Sequence, residues 1–205
     1  VKDFSKEKFK MNLKSNKVNV IKILPGGVVT AKDTAEIELD ANGEFVRNPE
    51  VDLVKVAVVE RHQGTGNVAC GFLKGYGIKE GAVALSVAHD SHNIIVVGVN
   101  DEEMEFAVNS LIEQEGGIVL VKEGKVIESM PMPIAGLMSD QSGEWVDQKL
   151  TDIHEKAYEE LGICGDVEPV MTLCFMSLAV IPEIKLTDMG LFDVTTFSFI
   201  PVEVE

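Results

Sequence analysis

Two apolar runs, GAVALSVA at 81–88 and IIVVGV at 94–99, constrain the fold of this chain more than any other feature. Nearly every position in them is apolar, without the alternation that marks a strand with one face in water. Strands of this kind are buried on both faces, so other layers of the domain must cover them. Only the five polar residues HDSHN, at 89–93, separate the runs, which predicts a connection at one end of a sheet.

Other segments supply the covering layers. Asn100 and Glu103 have the spacing of a capping box, which predicts a helix over 101–115. The remaining predicted elements are strands at 18–24 and 52–62, a hairpin at 117–129, an amphipathic helix at 143–161, a short helix from Pro169, and a last strand at 193–204. The central sheet is expected to contain 52–61, 82–88, 94–99 and 118–129. The fold class predicted is therefore α+β, a layered domain with a mixed, mostly antiparallel sheet flanked by helices.

A glycine-dense stretch follows the 52–62 strand. Gly64, Gly66 and Ala69 resemble the phosphate-binding turn of dinucleotide folds. That turn requires a helix directly after it, whose N-terminus holds the phosphate. Gly71 and Gly75 do not allow such a helix, so a tight turn or a flexible functional loop is expected in place of a nucleotide site.

Charge and cysteine usage bound the possible partners. The 205 residues carry a formal charge of −16, which predicts binding neither to nucleic acid nor to an anionic membrane surface. Three widely spaced cysteines without a CxxC pair, and no signal peptide, predict a cytoplasmic protein. Six lysines fall within 1–17, which is interpreted as a solvated leading segment, with a basic arm for a partner as the alternative.

The HDSHN connection holds the main candidate site residues. His89 and His92 can take up or give protons near neutral pH, and Asp90 stands between them. The same three residues could supply ligands to a divalent metal, whereas a polar turn bonded to its own backbone is the simpler alternative. Ser91 and Asn93 complete the motif. Second-tier candidates are Arg61 and His62 at a strand end and the Gly116-Gly117 turn.

Several phrases together resemble one family. AVALSVAHDSHNIIVVG at 82–98, GGIVLVKEGKVIESMPMPIAGLMSD at 116–140 and AVIPEIKLTDMGLFDV at 179–194 are similar to the C-terminal domain of bacterial adenine deaminase. The stretch ERHQGTGNVACGFLKGYGIKEGA at 60–82 fits the same place in that domain. The resemblance divides the chain into the leading segment 1–17 and the domain 18–205, and the start at Val1 leads us to expect a piece of a longer polypeptide.

The resemblance implies a function for that longer polypeptide. The family belongs to the amidohydrolase superfamily and hydrolyses adenine to hypoxanthine and ammonia in purine salvage. A preceding barrel of the same polypeptide carries the divalent metal, manganese or iron, and no metal is expected on this chain. By this resemblance His89, Asp90 and His92 are catalytic candidates, and Ser91, Asn93, Arg61, His62, Gly116 and Gly117 bind substrate.

Two alternatives stay open. The chain could be a stand-alone metal-binding hydrolase that uses the HDSHN motif. It could also be an oligomerisation domain without chemistry, since the apolar loop MPMPIAGLM at 130–138 is suited to an interface. A homo-oligomer is expected for the full protein under the leading interpretation as well.

Overall fold

The computed structural model describes residues 4–204. The strands in this part of the chain are β1 (Lys17–Ile23), β2 (Thr30–Glu36), β3 (Glu38–Leu39), β4 (Phe45–Val46), β5 (Leu53–Val59), β6 (Val68–Lys74), β7 (Ala82–Leu85), β8 (Ile94–Gly98), β9 (Gly117–Lys122), β10 (Lys125–Pro131), β11 (Ile184–Thr187), β12 (Gly190–Asp193) and β13 (Ser198–Ile200). The helices are α1 (Asp101–Glu113), α2 (Gly143–Glu159) and α3 (Pro169–Cys174), with a 3-10 turn at Lys6–Phe9.

An eight-stranded sheet organises the domain, in the order β10-β9-β7-β8-β5-β6-β1-β2. Its strands pair antiparallel except β1 and β6, which run parallel. A three-stranded sheet, β11-β12-β13, and the short β3-β4 pair complete the strands in the described part. The sheet is therefore mixed and mostly antiparallel, and the prediction of an α+β layered domain is confirmed.

Both faces of the sheet are covered, as the apolar runs require. Every residue of β5, β7 and β8 is buried. On one face α1 packs against β7, β8 and β9 through Met104, Ala107 and Leu111. On the other face lie α2, α3 and the three-stranded sheet, with Ile153 and Leu186 in the same core cluster. The large sheet is therefore the middle layer of the domain, because both of its faces are buried.

The predicted central strands and the helices are confirmed. Strands β5, β7, β8 and the β9–β10 hairpin all lie in the large sheet, α1 is capped by the Asn100 side chain, and α3 begins at Pro169. The glycine-dense stretch was predicted without a strand, and that was wrong, because β6 runs through it. Gly71 lies in this strand and faces the second sheet, where a Cβ would lie 3.6 Å from Leu186 and 3.8 Å from Leu191, at ordinary contact distance.

Two strand ends were also predicted wrongly. The 52–62 strand stops at Val59, because Glu60 begins a turn that is described below. A single strand at 193–204 was expected, but the chain turns after Asp193 and returns as β13. The Asp193 carboxylate accepts hydrogen bonds from the backbone N–H groups of Thr195 and Thr196, at 3.0 and 3.2 Å, and so stabilises this turn.

The leading segment contributes to the core. Phe4 and Phe9 are buried beside α1, and their rings lie 5.0 Å apart. Residues 1–3, including Lys2, and residue 205 lie outside the described residues. The division at residue 17 stays a prediction. No helix within residues 4–204 is both long and apolar enough to cross a bilayer.

A lysine on β11 is buried completely. Lys185 is 0% exposed, and its ammonium donates a hydrogen bond of 2.9 Å to the Val28 carbonyl oxygen. Burial penalises the charged form and lowers the pKa of Lys185 from 10.5 to about 8. Between these two values the unfolded chain binds more protons than the folded chain, so stability must rise with pH there.

Replacing this lysine tests the sign of that linkage. Relative to Lys185→Met, which cannot titrate, we expect the wild-type chain to gain up to about 3 kcal/mol of unfolding free energy as pH rises from 7 to above 10. Urea denaturation of both proteins across this range measures the difference, and other titrating groups cancel in it. A difference that does not change with pH would show that Lys185 keeps its ordinary pKa.

Candidate functional site

The HDSHN motif lies in the connection between β7 and β8, at one end of the large sheet. Backbone hydrogen bonds hold this connection in place. The His89 N–H donates to the Cys174 carbonyl at 2.8 Å, and the His92 N–H donates to the Ala88 carbonyl at 2.6 Å. The first bond ties the loop to the end of α3. These main-chain bonds give the loop a defined shape.

The two imidazoles lie against each other. Their ring centroids are 5.3 Å apart at 68°, and the His89 ring also lies 4.8 Å from Phe175. Both histidines are half-buried, whereas Asp90 and Ser91 are exposed at the tip of the loop. A molecule that approaches this end of the sheet therefore meets two imidazoles, a carboxylate and a hydroxyl.

The surroundings of His92 favour its neutral form. Burial, and then the neighbouring His89 and Arg61, lower the pKa of His92 below its ordinary value of 6.5. The ring is therefore neutral at pH 7, with one nitrogen able to accept a hydrogen bond or a proton. Its Nδ1 atom is buried and has no hydrogen-bond partner among residues 4–204. A buried polar atom without a partner inside the protein is suited to a ligand.

Arg61 joins the loop to a second segment of the chain. Its Nε donates to the His92 carbonyl at 2.5 Å, and its Nη2 donates to the Ala135 carbonyl at 2.9 Å. The Arg61 backbone N–H also donates to Oδ1 of Asn93, at 3.2 Å. The guanidinium thus links the HDSHN loop to the apolar loop 130–138, which predicts a bracing role for Arg61.

Glu60 explains why Arg61 and His62 point toward the loop. Its carboxylate accepts hydrogen bonds from the backbone N–H groups of Gln63 at 2.6 Å, Thr65 at 2.9 Å and His62 at 2.5 Å. These bonds, that from Gln63 first, lower the pKa of Glu60 to about 2. The resulting turn ends β5 and brings Nε2 of His62 to 2.7 Å from the Ser91 carbonyl oxygen.

Asn93 is a buried brace, because both ends of its amide are used within the chain. Asn93 is 4% exposed. Its Oδ1 accepts a hydrogen bond from the Arg61 backbone N–H, and its Nδ2 donates to Oδ1 of Asp188 at 3.2 Å. Asp188 lies in the turn between β11 and β12, and its second oxygen is 3.5 Å from Nδ2 of Asn67. The loop is therefore fastened to the three-stranded sheet.

Gly116 and Gly117 lie beside this assembly and are buried. Their φ angles are 104° and 110°, in the left-handed range that favours glycine. The Gly117 N–H donates to Oγ of Ser86 at 2.8 Å, and that hydroxyl donates to the Gly136 carbonyl at 2.6 Å. A Cβ on Gly116 would lie 2.5 Å from the Gly136 Cα. The pair allows the 130–138 loop to approach the sheet closely.

All nine candidates predicted from the sequence thus lie in one neighbourhood, and the structure separates them by position. His89, Asp90, Ser91, His92 and His62 present side chains toward solvent, at least in part. The others support the loop through packing and hydrogen bonds: Arg61, Asn93, Gly116 and Gly117. Sequence reasoning missed the supporting residues Glu60, Ser86 and Asp188, although all three fall inside the segments that resemble the family.

The capacity of the described residues to hold a metal ion depends on how their ligating side chains are grouped. Within the part of the chain that the structure describes, no three His, Cys, Asp or Glu side chains are arranged so that they could hold a metal ion. His89, Asp90 and His92 therefore do not fit a divalent ion as a ligand set.

The fold and the site define a class of protein. It is an α+β domain with a histidine-bearing loop, held by hydrogen bonds, at one end of a mixed sheet. Comparison with known proteins gives the family. The model of the family described as "Adenine deaminase C-terminal domain" matches residues 27–198. The chain belongs to that family.

Named relatives agree with this assignment. The chain is 68% identical to "Adenine deaminase 2" of Desulfotalea psychrophila over 203 residues, which are 99% of this chain and 35% of that protein. It is 49% identical to an adenine deaminase of Ligilactobacillus salivarius over 205 residues, 100% of the chain and 36% of the relative. It is 44% identical to the adenine deaminase of Bacillus subtilis over 200 residues, which are 97% of this chain and 34% of that protein. The chain spans about a third of these relatives, and the domain belongs with a larger polypeptide.

Proposed function

We propose that this domain contributes the HDSHN loop to the purine site of a larger adenine deaminase. The observation that carries the proposal is the loop itself. Two half-buried imidazoles are open to an incoming molecule, while Arg61 donates to the His92 carbonyl and Asp188 accepts from the Asn93 side chain. A loop that only turned the chain would not need two histidines beside each other. The family membership supplies the substrate class, adenine.

The proposed reaction exchanges one bond for another. Water adds its oxygen to C6 of adenine, and the bond between C6 and the exocyclic amino nitrogen breaks. The products are hypoxanthine and ammonia. The leaving amine must gain a proton, and the neutral His92 and its neighbour His89 are of the right type to hold and pass one. Asp90 and Ser91, which are exposed at the loop tip, would contact the edge of the purine. Arg61 and Asn93 act through the loop, as positioning residues.

The nucleophile belongs to another part of the larger polypeptide in this proposal. A divalent metal, manganese or iron, would be held by the preceding barrel and would lower the pKa of water bound to it. Within residues 4–204 no three His, Cys, Asp or Glu side chains are grouped so that they could hold it. The larger polypeptide would act in the cytoplasm, in purine salvage.

Activity of the isolated chain tests this division of labour. We expect the 205-residue chain, supplied with Mn²⁺ or Fe²⁺, to release no ammonia from adenine above the rate without protein. The larger polypeptide under the same conditions is expected to release it. Ammonia release and metal content of both proteins are the measurements. Turnover by the isolated chain with stoichiometric bound metal would favour the stand-alone hydrolase and contradict the proposal.

Self-association is a second candidate function, favoured by one observation. The 130–138 loop exposes Ile134 at 46% and Met138 at 57%, although its backbone is fastened to Arg61 and Ser86. A rigid loop with exposed apolar side chains is suited to an interface. Sedimentation of the isolated chain tests this, at high salt as well, because a charge of −16 opposes self-association at low salt. A monomer at every salt concentration would exclude assembly through this loop alone.

A further inference from the structure

The three-stranded sheet presents aromatic residues on the face that points away from the core. Leu191 and Ile200 are cross-strand partners that pack on the main core cluster. Phe192 and Phe199, the next pair along, project to the opposite face, with ring centroids 5.2 Å apart at 77°. Phe197 adds a third ring 5.3 Å from Phe192. With Met189 in the adjoining turn, these side chains form what is called here the aromatic face.

This face is exposed to an unusual degree. Phe197 is 73% exposed, Met189 72% and Phe199 50%, and the first two have the largest exposure among the large hydrophobic residues at 4–204. Phe199 lies on β13, whose one partner in the described sheets is β12, so the strand has a free edge. Phe192, between these residues, is itself only 8% exposed. Exposed apolar side chains grouped on an edge strand and its adjoining turns mark a surface that another polypeptide covers.

The backbone at Phe197 supports the same conclusion. Its φ angle is 50°, in the left-handed region where a bulky side chain is unusual and glycine or asparagine would fit with less strain. The residue thus combines an unfavourable backbone conformation with an aromatic ring in water. Neither this backbone conformation nor the exposed ring stabilises the isolated chain. The ring does lie where a partner could bury it.

We propose that the aromatic face is the docking surface for the part of the polypeptide that lies outside this domain, an inference that rests on the proposed function. The chain covers 35% of its Desulfotalea relative, which leaves about two-thirds of that protein to provide the partner surface. Position supports this occupant, since Asp188, next to Met189, is bonded to Asn93 of the HDSHN loop. A partner that covers the loop therefore reaches the face as well.

A second copy of the chain is the less favoured occupant. Each copy carries a formal charge of −16, and the aromatic rings bring no charge of their own to offset the repulsion between two such copies. An interface with the rest of the polypeptide needs no association in solution, because the two parts are covalently joined and their effective concentration is high.

Hydrogen exchange in the intact larger polypeptide tests the docking. We expect amides of 188–200 to exchange at least tenfold more slowly there than in the isolated 205-residue chain, which has a hydrophobic core of its own. Phe199→Asp in the larger polypeptide should remove this protection. Val126→Asp is the matched control, because Val126 is 45% exposed on β10, at the far edge of the large sheet, and protection should persist.

A milder variant keeps the test decisive should Phe199→Asp prevent folding. Phe197→Asn suits the left-handed backbone, so the isolated chain should melt at an unchanged or higher temperature, while the larger polypeptide loses protection at 188–200. Equal exchange in both wild-type proteins overturns the proposal. So does protection that appears in the isolated chain as its concentration rises, which would assign the face to a second copy. Protection in a larger polypeptide that does not deaminate adenine would support docking and contradict the proposed function.

Discussion

Replacing either histidine of the HDSHN loop in the larger polypeptide is expected to lower turnover of adenine by about 10²–10⁴-fold, the usual contribution of general acid–base catalysis. The reason is that the His92 ring is neutral at pH 7, with no hydrogen-bond partner for its Nδ1 in the described part of the chain, and that the His89 ring lies 5.3 Å from it between centroids. The variants are His89→Ala and His92→Ala. Steady-state kinetics measures kcat and KM, and thermal melts measure stability.

The loop should keep its shape in these variants, because its links to the rest of the domain use main-chain atoms of both histidines. His92 has a φ angle of 53°, so His92→Asn is the better variant for the backbone, since asparagine tolerates this region. His154→Ala is the matched control, on α2 and paired with Glu168, and should leave kcat unchanged. Near-normal turnover together with a large drop in melting temperature would assign the two histidines a structural role.

Gly117→Ala is expected to lower the free energy of unfolding of the chain by about 3–5 kcal/mol, as the sum of backbone strain and overpacking. A Cβ at this position would lie 2.0 Å from the Met130 carbonyl oxygen, which is main chain and cannot turn away. The residue pairs with Pro131 in the β9–β10 hairpin and has a φ angle of 110°. Urea denaturation of the isolated chain measures the loss.

Gly124 in the same hairpin provides the control. It also has a positive φ angle, 67°, but a Cβ there would meet no atom within 4 Å. Gly124→Ala should therefore lower the unfolding free energy by only about 1–2 kcal/mol, from backbone strain alone. If both variants are destabilised equally, the close approach to Met130 is not what requires glycine at 117. If Gly117→Ala is stable but loses adenine affinity in the larger polypeptide, the glycine contacts substrate.

The large-scale fold could be predicted from the sequence because burial on two faces leaves a simple pattern. The runs at 81–88 and 94–99 are apolar at almost every position, and the structure places β7 and β8 there, side by side. Strand β6 could not be found in this way. Its central residue Gly71 packs toward Leu186, more than a hundred residues later, and local propensity carries no record of so distant a neighbour.

The candidate site shows the same division. Side-chain chemistry pointed to His89 and His92, because two imidazoles with a carboxylate are an informative combination in any context. The supporting contacts were not accessible from the sequence. Arg61 donates to main-chain carbonyl groups, which every residue has, and Asn93 bonds to Asp188 across 95 positions of the chain. Sequence patterns report periodicity and composition, whereas these contacts depend on the finished fold.

The bond between Asn93 and Asp188 also sets an order of events during synthesis. Asp188 and the strands on either side of it leave the ribosome about a hundred residues after the loop that they hold. The C-terminal residues then return to the first strand, where the Asn19 side chain donates to the Pro201 carbonyl at 2.9 Å. Such long-range closure delays folding until nearly the whole chain is available. A nascent chain that stalls before residue 188 therefore carries its histidines on a loop that has not yet acquired its final support.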